Sequence, residues 1–284
     1  MADAKPPRKG KSSSKPDLAT IGGLLLALGG IAGGMIMEGG KLEDVKQVTS
    51  ALIVLGGTIG AVMITTPLPV LIRAVKKLGQ VFFGKEESVR AAIDEIIRYA
   101  SQARKEGIVS LETQAAEIAD PFLSKALGLA VDGIESNRIR EIMELEIQLF
   151  EEDVDAEAKV FEAAGGYAPT IGIIGAVLGL IQVMKNLADI DEVGKGIAAA
   201  FVATIYGVAS ANIFFLPVAS KLKARGRAAI QVRELMLEGV LSIADGVNQK
   251  LIRLKLDAYL GNSPAAKAGK KKGQTAAQPL SAEG

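Results

Sequence analysis

Four long stretches of the chain contain no charged side chain, and charged residues crowd the segments between them. A helix needs roughly 20 apolar residues to cross the hydrocarbon core of a bilayer, and each stretch reaches that length. Helices of soluble proteins rarely stay uncharged on every face, which makes a soluble four-helix bundle the weaker interpretation. We therefore predict four transmembrane helices, at residues 18–37, 47–72, 163–185 and 196–220.

The charges between these helices predict their orientation. A basic leader, residues 1–17, precedes the first span, and lysine and arginine favour the cytoplasmic side of a membrane. The charged segments 73–162 and 221–260 then also lie in the cytoplasm, as do both termini. The two outer loops are short and mildly acidic. We predict that residues 261–284, which are low in sequence complexity, form a disordered tail.

Local signals predict helices in the first cytoplasmic segment. An apolar stripe of helical spacing predicts a helix over residues 86–106, which Gly107 is suited to end. Ser110 is suited to cap the following helix, and Asp120 with Pro121 to begin another.

Longer helices are predicted next to the last two spans. Residues 136–161 alternate apolar and charged positions and lead into the third span, which predicts one continuous rod. Residues 221–260, after the fourth span, are predicted to form a single cytoplasmic helix. The predicted fold class is therefore an all-α integral membrane protein with a helical cytoplasmic domain.

Composition excludes several kinds of chemistry. The 284 residues include no cysteine and no histidine, which excludes disulfides, Cys/His zinc sites and Ser-His-Asp triads. The net charge of +1 and the absence of tryptophan give no reason to expect nucleic-acid binding. We predict a protein that is not an enzyme and that holds no cofactor and no metal.

Small residues recur at helical spacing in the last two spans. Such stripes let helix backbones approach closely in lipid. Packing within one chain explains similar spacings in the first two spans, whereas two facing stripes in the third and fourth could hold a helix from another chain. The stripes are Gly172, Ala176 and Gly179 in the third span and Ala203, Gly207 and Ala211 in the fourth.

No acidic or basic side chain lies inside any span, although ion-driven membrane machines place an ionisable group at depth. This chain therefore either moves no ions or receives its carboxylate from a partner. Thr204, Thr170 and Tyr206 could offer hydroxyls near such a carboxylate, or could bond back to their own helices. Pro169 and Pro217 could kink the third and fourth spans, or could simply mark helix ends.

The stretch Tyr99–Glu112 is strongly polar for so apolar a chain. Arg104 falls in the last turn of one predicted helix and Glu112 in the first turn of the next. Both charges complement the helix dipoles, so a stable solvated corner is one interpretation. A contact surface for a charged partner is the other, and the two are compatible.

These segments together resemble the MotA/PomA family of flagellar motor stator proteins. The similarity lies in ARKEGIVSLE at 103–112, YAPTIGIIGAVLGLI at 167–181 and AFVATIYGVASANIFFLP at 200–217, and extends from about Asp17 to Leu260. The resemblance implies a homopentamer in the bacterial inner membrane around two copies of a MotB-type, single-span, peptidoglycan-anchored partner. That partner would supply the membrane aspartate, and ion flow would produce torque on the rotor protein FliG.

The resemblance also assigns roles to residues. Arg104 and Glu112 match the two charges that engage the rotor in the family. Pro169 and Pro217 match prolines tied to torque generation. Thr204 matches a hydroxyl beside the ion path.

The expected ion is the proton. Sodium-type members of the family carry a second threonine where this chain has Ala176. Sodium needs several oxygen ligands, whereas a proton needs only the carboxylate.

Two other functions remain open at this point. An ExbB/TolQ-like channel subunit that energises outer-membrane transport would have three spans and an outer N-terminus. A secondary transporter with two inverted halves would be expected to place polar residues at the membrane midplane.

Overall fold

The computed structural model describes residues 16–83 and 88–262. The predictions for the leader up to residue 15, and for the tail from residue 263 onward, lie outside these residues. Every regular element among the described residues is a helix. The chain forms two compact units, one of Met1–Lys85 with Asp155–Lys223 and one of Glu86–Val154 with Ala224–Gly284.

The described part of the chain contains nine α-helices, with a short 3₁₀ turn at Ile108–Leu111 between the fourth and the fifth. The bounds are α1 Leu18–Met37, α2 Val48–Thr65, α3 Leu68–Phe82, α4 Val89–Glu106, α5 Glu112–Glu117, α6 Pro121–Val131, α7 Ser136–Lys185, α8 Ile190–Ala244 and α9 Gln249–Asn262. Four of these helices, α1, α2, α7 and α8, are long and apolar enough to cross a membrane.

The predicted second span, 47–72, is not one helix. Helix α2 ends at Thr65, Thr66 is extended with ψ 130°, and Pro67 caps the separate helix α3. Proline disfavours helical backbone in the residue before it and cannot donate to the preceding turn. The apolar span is therefore shorter than predicted, and residues 68–72 belong to the next helix.

The predicted rod from residue 136 through the third span is confirmed as one helix, α7. The predicted single helix at 221–260 is wrong. Helix α8 runs on to Ala244, the chain turns at Gly246 with φ +66°, and α9 begins at Gln249. Glycine adopts this left-handed conformation without the strain that a Cβ would cause.

The unit of Glu86–Val154 with Ala224–Gly284 has a continuous aliphatic core. Ile96 from α4, Leu127 from α6, Met143 from α7 and Leu235 from α8 are fully buried in it. Leu256 of α9 joins the same core because the turn at Gly246 brings α9 back against α4. Helix α6 begins as predicted, with the Asp120 carboxylate accepting from the Leu123 amide at 3.0 Å and Pro121 as the first helical residue.

The other unit packs α3 against residues 158–164 of α7 and residues 218–222 of α8. Its buried cluster joins Ala74 and Val81 of α3 with Phe161 of α7 and Val218 of α8. In contrast, α1 buries none of its residues, and the amide of Asp17 just before it donates to the Phe82 carbonyl at 2.9 Å.

Candidate functional site

The polar corner predicted at Tyr99–Glu112 is a tight turn between two helices. Helix α4 ends at Glu106, and Gly107 takes φ +83°, where a side chain would be strained. The side chains of Arg104, in the last turn of α4, and Glu112, the first residue of α5, are both exposed. Neither forms an ion pair with another described residue, so both charges face solvent.

A hydrogen bond between two glutamine side chains holds the corner together. The Gln114 amide donates to the Gln102 side-chain oxygen at 2.6 Å, which joins α5 to α4. Leu111 between them is fully buried. The prediction that Ser110 caps the next helix is wrong, because its hydroxyl donates instead to the Gly107 carbonyl at 2.7 Å and Ile108–Leu111 forms a 3₁₀ turn. These contacts hold the backbone that carries Arg104 and Glu112 in one arrangement.

Tyr99 anchors the α4 side of this corner. The residue is only 3% exposed, and its hydroxyl donates to Glu95 Oε1 at 2.8 Å and accepts from Arg98 at 3.3 Å. Burial, and then the hydrogen bond to Glu95, raise the pKa of Tyr99 to about 12. The folded protein therefore keeps this proton at a pH where an unfolded chain releases it.

Alkaline pH should consequently destabilise the wild type more than Tyr99→Phe. The phenol of the unfolded chain ionises at about pH 10. The contribution of the protonated Tyr99 to folding stability is therefore fully present below about pH 10 and is lost as pH rises to about 12. Two pKa units correspond to about 2–3 kcal/mol. Thermal unfolding of both proteins from pH 8 to pH 12, followed by circular dichroism, would measure the difference. Lysine titration is common to both proteins, so parallel curves would contradict the assignment.

The predicted small-residue stripes of the third and fourth spans lie in the other unit, where they face each other. A Cβ built on Gly172 would lie 3.0 Å from the Ala203 carbonyl oxygen and 3.2 Å from Gly207 Cα. One built on Gly179 would lie 3.0 Å from the Ala200 amide nitrogen. The expectation that these stripes hold a helix from another chain is corrected for these residues, because α7 and α8 fill each other's groove.

The predicted ion-path residues lie at or beside this crossing. Thr204 is half-buried, and a Cβ built on Gly172 would lie 3.5 Å from its Cα. Its hydroxyl donates to the Ala200 carbonyl of its own helix at 3.3 Å. Ala176 is half-buried on α7. Thr170 is exposed and donates to the Tyr167 carbonyl at 2.8 Å. Both threonine hydroxyls thus donate within their own helices, and each would need to rotate to donate to a ligand, although its oxygen can still accept.

Tyr206 has a different environment from the threonines. Its hydroxyl donates to the Val45 carbonyl and accepts from the Gln47 amide at 3.4 Å, so it holds the segment that leads into α2. A second link between the same helices comes from Ser50, which donates to the Ala199 carbonyl at 3.0 Å. Tyr206 therefore links α8 to the segment that leads into α2.

Both predicted prolines lie inside long helices rather than at helix ends. Pro169 lies inside α7, three residues before Gly172, so the helix lacks one backbone hydrogen bond close to the crossing. Pro217 follows a π-helical segment, Ser210–Phe215, within α8. A second π-helical segment, Leu52–Gly56, lies in α2. Such wide turns relax the regular backbone ladder and often occur at functional sites, and no local sequence signal indicated them.

Sequence reasoning also missed a group of ion pairs in the same unit. Glu157 of α7 is only 4% exposed, and its carboxylate lies 3.8 Å from Arg73 and 3.5 Å from Lys77, both on α3. Lys221 of α8 pairs with Asp17 at 2.6 Å. These pairs join residues 80 or more positions apart, so no local pattern could have indicated them.

Two family models match most of the chain between them. Residues 114–235 match the MotA/TolQ/ExbB proton channel family, and residues 21–107 match the motility protein A N-terminal family. With four helices that could span a membrane, this defines a multi-pass membrane protein of the stator and channel class.

Similar proteins and solved structures identify the family within this class. Motility protein A of Bacillus subtilis (strain 168) is 38% identical over 248 residues, which cover 86% of this chain and 91% of that protein. The structure of C. jejuni MotAB matches with a TM-score of 0.82 at 34% identity, over 86% of this chain and 95% of that one. The flagellar MotAB stator complex from Bacillus subtilis matches with a TM-score of 0.79 at 35% identity, over 85% and 95%. The chain therefore belongs to the motility protein A family.

Proposed function

We propose that this flagellar stator subunit couples inward proton flow through the inner membrane to torque on the rotor protein FliG. The similarity along most of the chain to proteins of MotAB stator complexes carries the proposal. The spans add a chemical argument, because a chain without an ionisable group at depth must borrow one to move ions. A MotB-type single-span partner, anchored to peptidoglycan, would supply it as an aspartate.

The proposed topology places both termini in the cytoplasm. The basic leader and the basic residues after α2 and in the middle of α8 support this orientation. Helices α4 to α6, with the polar corner, then lie on the cytoplasmic side, where a rotor can reach them. The proposed assembly is a homopentamer around a partner dimer.

The proposed output site is the corner. Arg104 and Glu112 present opposite charges from two helices that a buried leucine and a glutamine pair hold together. Charges that are exposed and unpaired among the described residues can be offered to a partner without first breaking an internal ion pair. Complementary charges chiefly set the rate and specificity of such contacts.

The proposed ion is the proton because the crossing of α7 and α8 offers few oxygen ligands. Ala176 has no side-chain oxygen, so the Thr204 hydroxyl, whose oxygen can still accept, has no second threonine at that position. Sodium would need several oxygens around it, whereas a proton would need only the carboxylate of the partner.

Expression together with a MotB-type partner should restore swimming to cells that lack their own stator. Swimming should stop with a protonophore and should continue when external sodium is removed. A partner whose membrane aspartate is changed to asparagine should give stable complexes and no swimming. Speed should be followed by tracking tethered cells, with membrane fractionation as the control for insertion. Swimming that needs sodium and tolerates the protonophore would overturn the choice of ion, and failure of every stator partner would overturn the function.

An ExbB/TolQ-like role is the second candidate, because the matched channel family includes those proteins. The match of residues 21–107 to the motility protein A N-terminal family, together with four candidate spans, favours the stator. Restoration of outer-membrane transport, without swimming, in cells that lack ExbB would favour the alternative.

A further inference from the structure

Helix α3 has an apolar stripe that its own unit leaves uncovered. Leu68, Ile72 and Val75 follow one another at spacings of four and three, so they share one face, and they are 59%, 46% and 54% exposed. A different face of the helix packs inward, with Ala74 and Val81 buried in the unit's core. The helix is therefore apolar on two sides, only one of which is used within the unit.

Some basic residues of α3 are used within the unit and one is not. Arg73 and Lys77 turn toward the buried carboxylate of Glu157. Lys76, next to Val75 and four residues from Ile72, is exposed and forms no ion pair with another described residue. The two pairs with Glu157 set the rotation of the helix, which leaves Lys76 beside the exposed stripe.

The position of α3 along the chain indicates what covers this stripe. The helix starts three residues after the last residue of α2, which is long and apolar enough to span a bilayer. The break at Thr66 and Pro67 ends that helix, so in the proposed topology α3 begins where the chain leaves the membrane. A second copy of the chain is the weaker candidate, because it would have to supply a carboxylate to Lys76 as well as an apolar face to the stripe.

We propose that α3 lies in the cytoplasmic face of the bilayer and binds anionic phospholipid through Lys76. Leu68, Ile72 and Val75 enter the boundary between headgroups and acyl chains, and the Lys76 ammonium contacts a lipid phosphate. Amphipathic helices with basic flanks bind membranes in this way, and each lysine near the surface favours anionic lipid. The proposal rests on the topology proposed above, and its test separates the two.

The chain has no tryptophan, so an introduced residue is the only indole of this subunit, and the wild-type complex measures any indole signal from the partner. Ile72→Trp is purified with its partner and reconstituted in phosphatidylcholine vesicles that contain phosphatidylglycerol. Brominated versions of either lipid, added at equal mole fraction, quench indole fluorescence on contact. We expect quenching by both, with brominated phosphatidylglycerol enriched about fivefold at the site. Adding Lys76→Gln should abolish that preference and leave the quenching by phosphatidylcholine.

Two matched variants interpret the result. Glu117→Trp, exposed on α5 in the other unit, should be quenched only weakly. Leu26→Trp, in the middle of α1 and 79% exposed, reports insertion and should be quenched by deeply brominated chains.

Three outcomes would overturn the proposal. If Leu26→Trp is quenched and Ile72→Trp is not, the lipid contact fails while the membrane topology stands. Blue-shifted emission from Ile72→Trp without quenching would then show that a second copy covers the stripe. Equal quenching by both lipids that Lys76→Gln does not alter would remove the anionic preference. If Leu26→Trp itself is not quenched, the proposed topology fails together with this proposal.

Discussion

One methyl group added at Gly207 is expected to abolish torque. A Cβ there would lie 2.6 Å from the Ala168 carbonyl oxygen, 3.1 Å from Gly172 Cα and 3.2 Å from Pro169 Cα. All three atoms belong to the backbone of α7, so no side chain can rotate away to make room. The two helices would have to separate at the crossing where Thr204 lies. Overpacking of this kind costs about 1–3 kcal/mol, and small residues at membrane helix contacts have no substitute for close approach.

Gly207→Ala should therefore melt at a lower temperature than the wild-type complex and should support no swimming. Gly194→Ala is the matched control, since it adds the same methyl group to the same helix α8 at a position with no atom within 4 Å. Thermal melting in detergent and swimming in a stator-deficient strain measure the two effects. Wild-type swimming by Gly207→Ala would show that the crossing tolerates separation, and the argument from close packing would fail.

Reversal of both corner charges, Arg104→Glu with Glu112→Lys, is expected to stop swimming without affecting folding or insertion. Both side chains are exposed, and neither has an ion-pair partner among the described residues, so the reversed helix-dipole interactions should cost only about 1–2 kcal/mol of stability. The contact with a charged rotor surface would instead become repulsive. Compensating reversals on FliG should restore part of the swimming, because the complementarity returns.

Glu117→Lys provides the matched control for this experiment. Glu117 is the last residue of α5 and is exposed, so the same charge reversal is made one and a half turns away on the same short helix. It should leave swimming largely intact. Swimming speed, together with the amount of protein in the membrane fraction, distinguishes lost contact from lost protein. Full motility with Arg104 and Glu112 both reversed would exclude the corner as the rotor contact.

Much of the candidate site could be predicted from the sequence because its signals are local. An uncharged run of roughly 20 residues can satisfy its backbone only as a helix in lipid, so the apolar helices follow from composition. The start of α6 at Asp120 and Pro121 and the end of α4 at Gly107 depend on residues within a single turn. The exposed charges Arg104 and Glu112 could be predicted for the same reason.

Other features depend on which segments meet across long distances in the sequence. Spacing showed that Gly172 and Gly207 lie on smooth faces, but not that the two faces cover each other within one chain. Nothing near Glu157 indicates its two cations on α3, because that pairing forms only when α3 packs on α7.

The sequence by itself thus determined where the chain is apolar, where its helices start and stop at strong local signals, and which charges stay in water. Only the tertiary structure decided what each helix face touches. The physical reason is that a periodic pattern specifies the direction of a side chain around its own helix, whereas burial, close backbone contact and ion pairing also require a second segment. For Tyr206, that segment is the entry to α2, some 160 residues earlier in the chain.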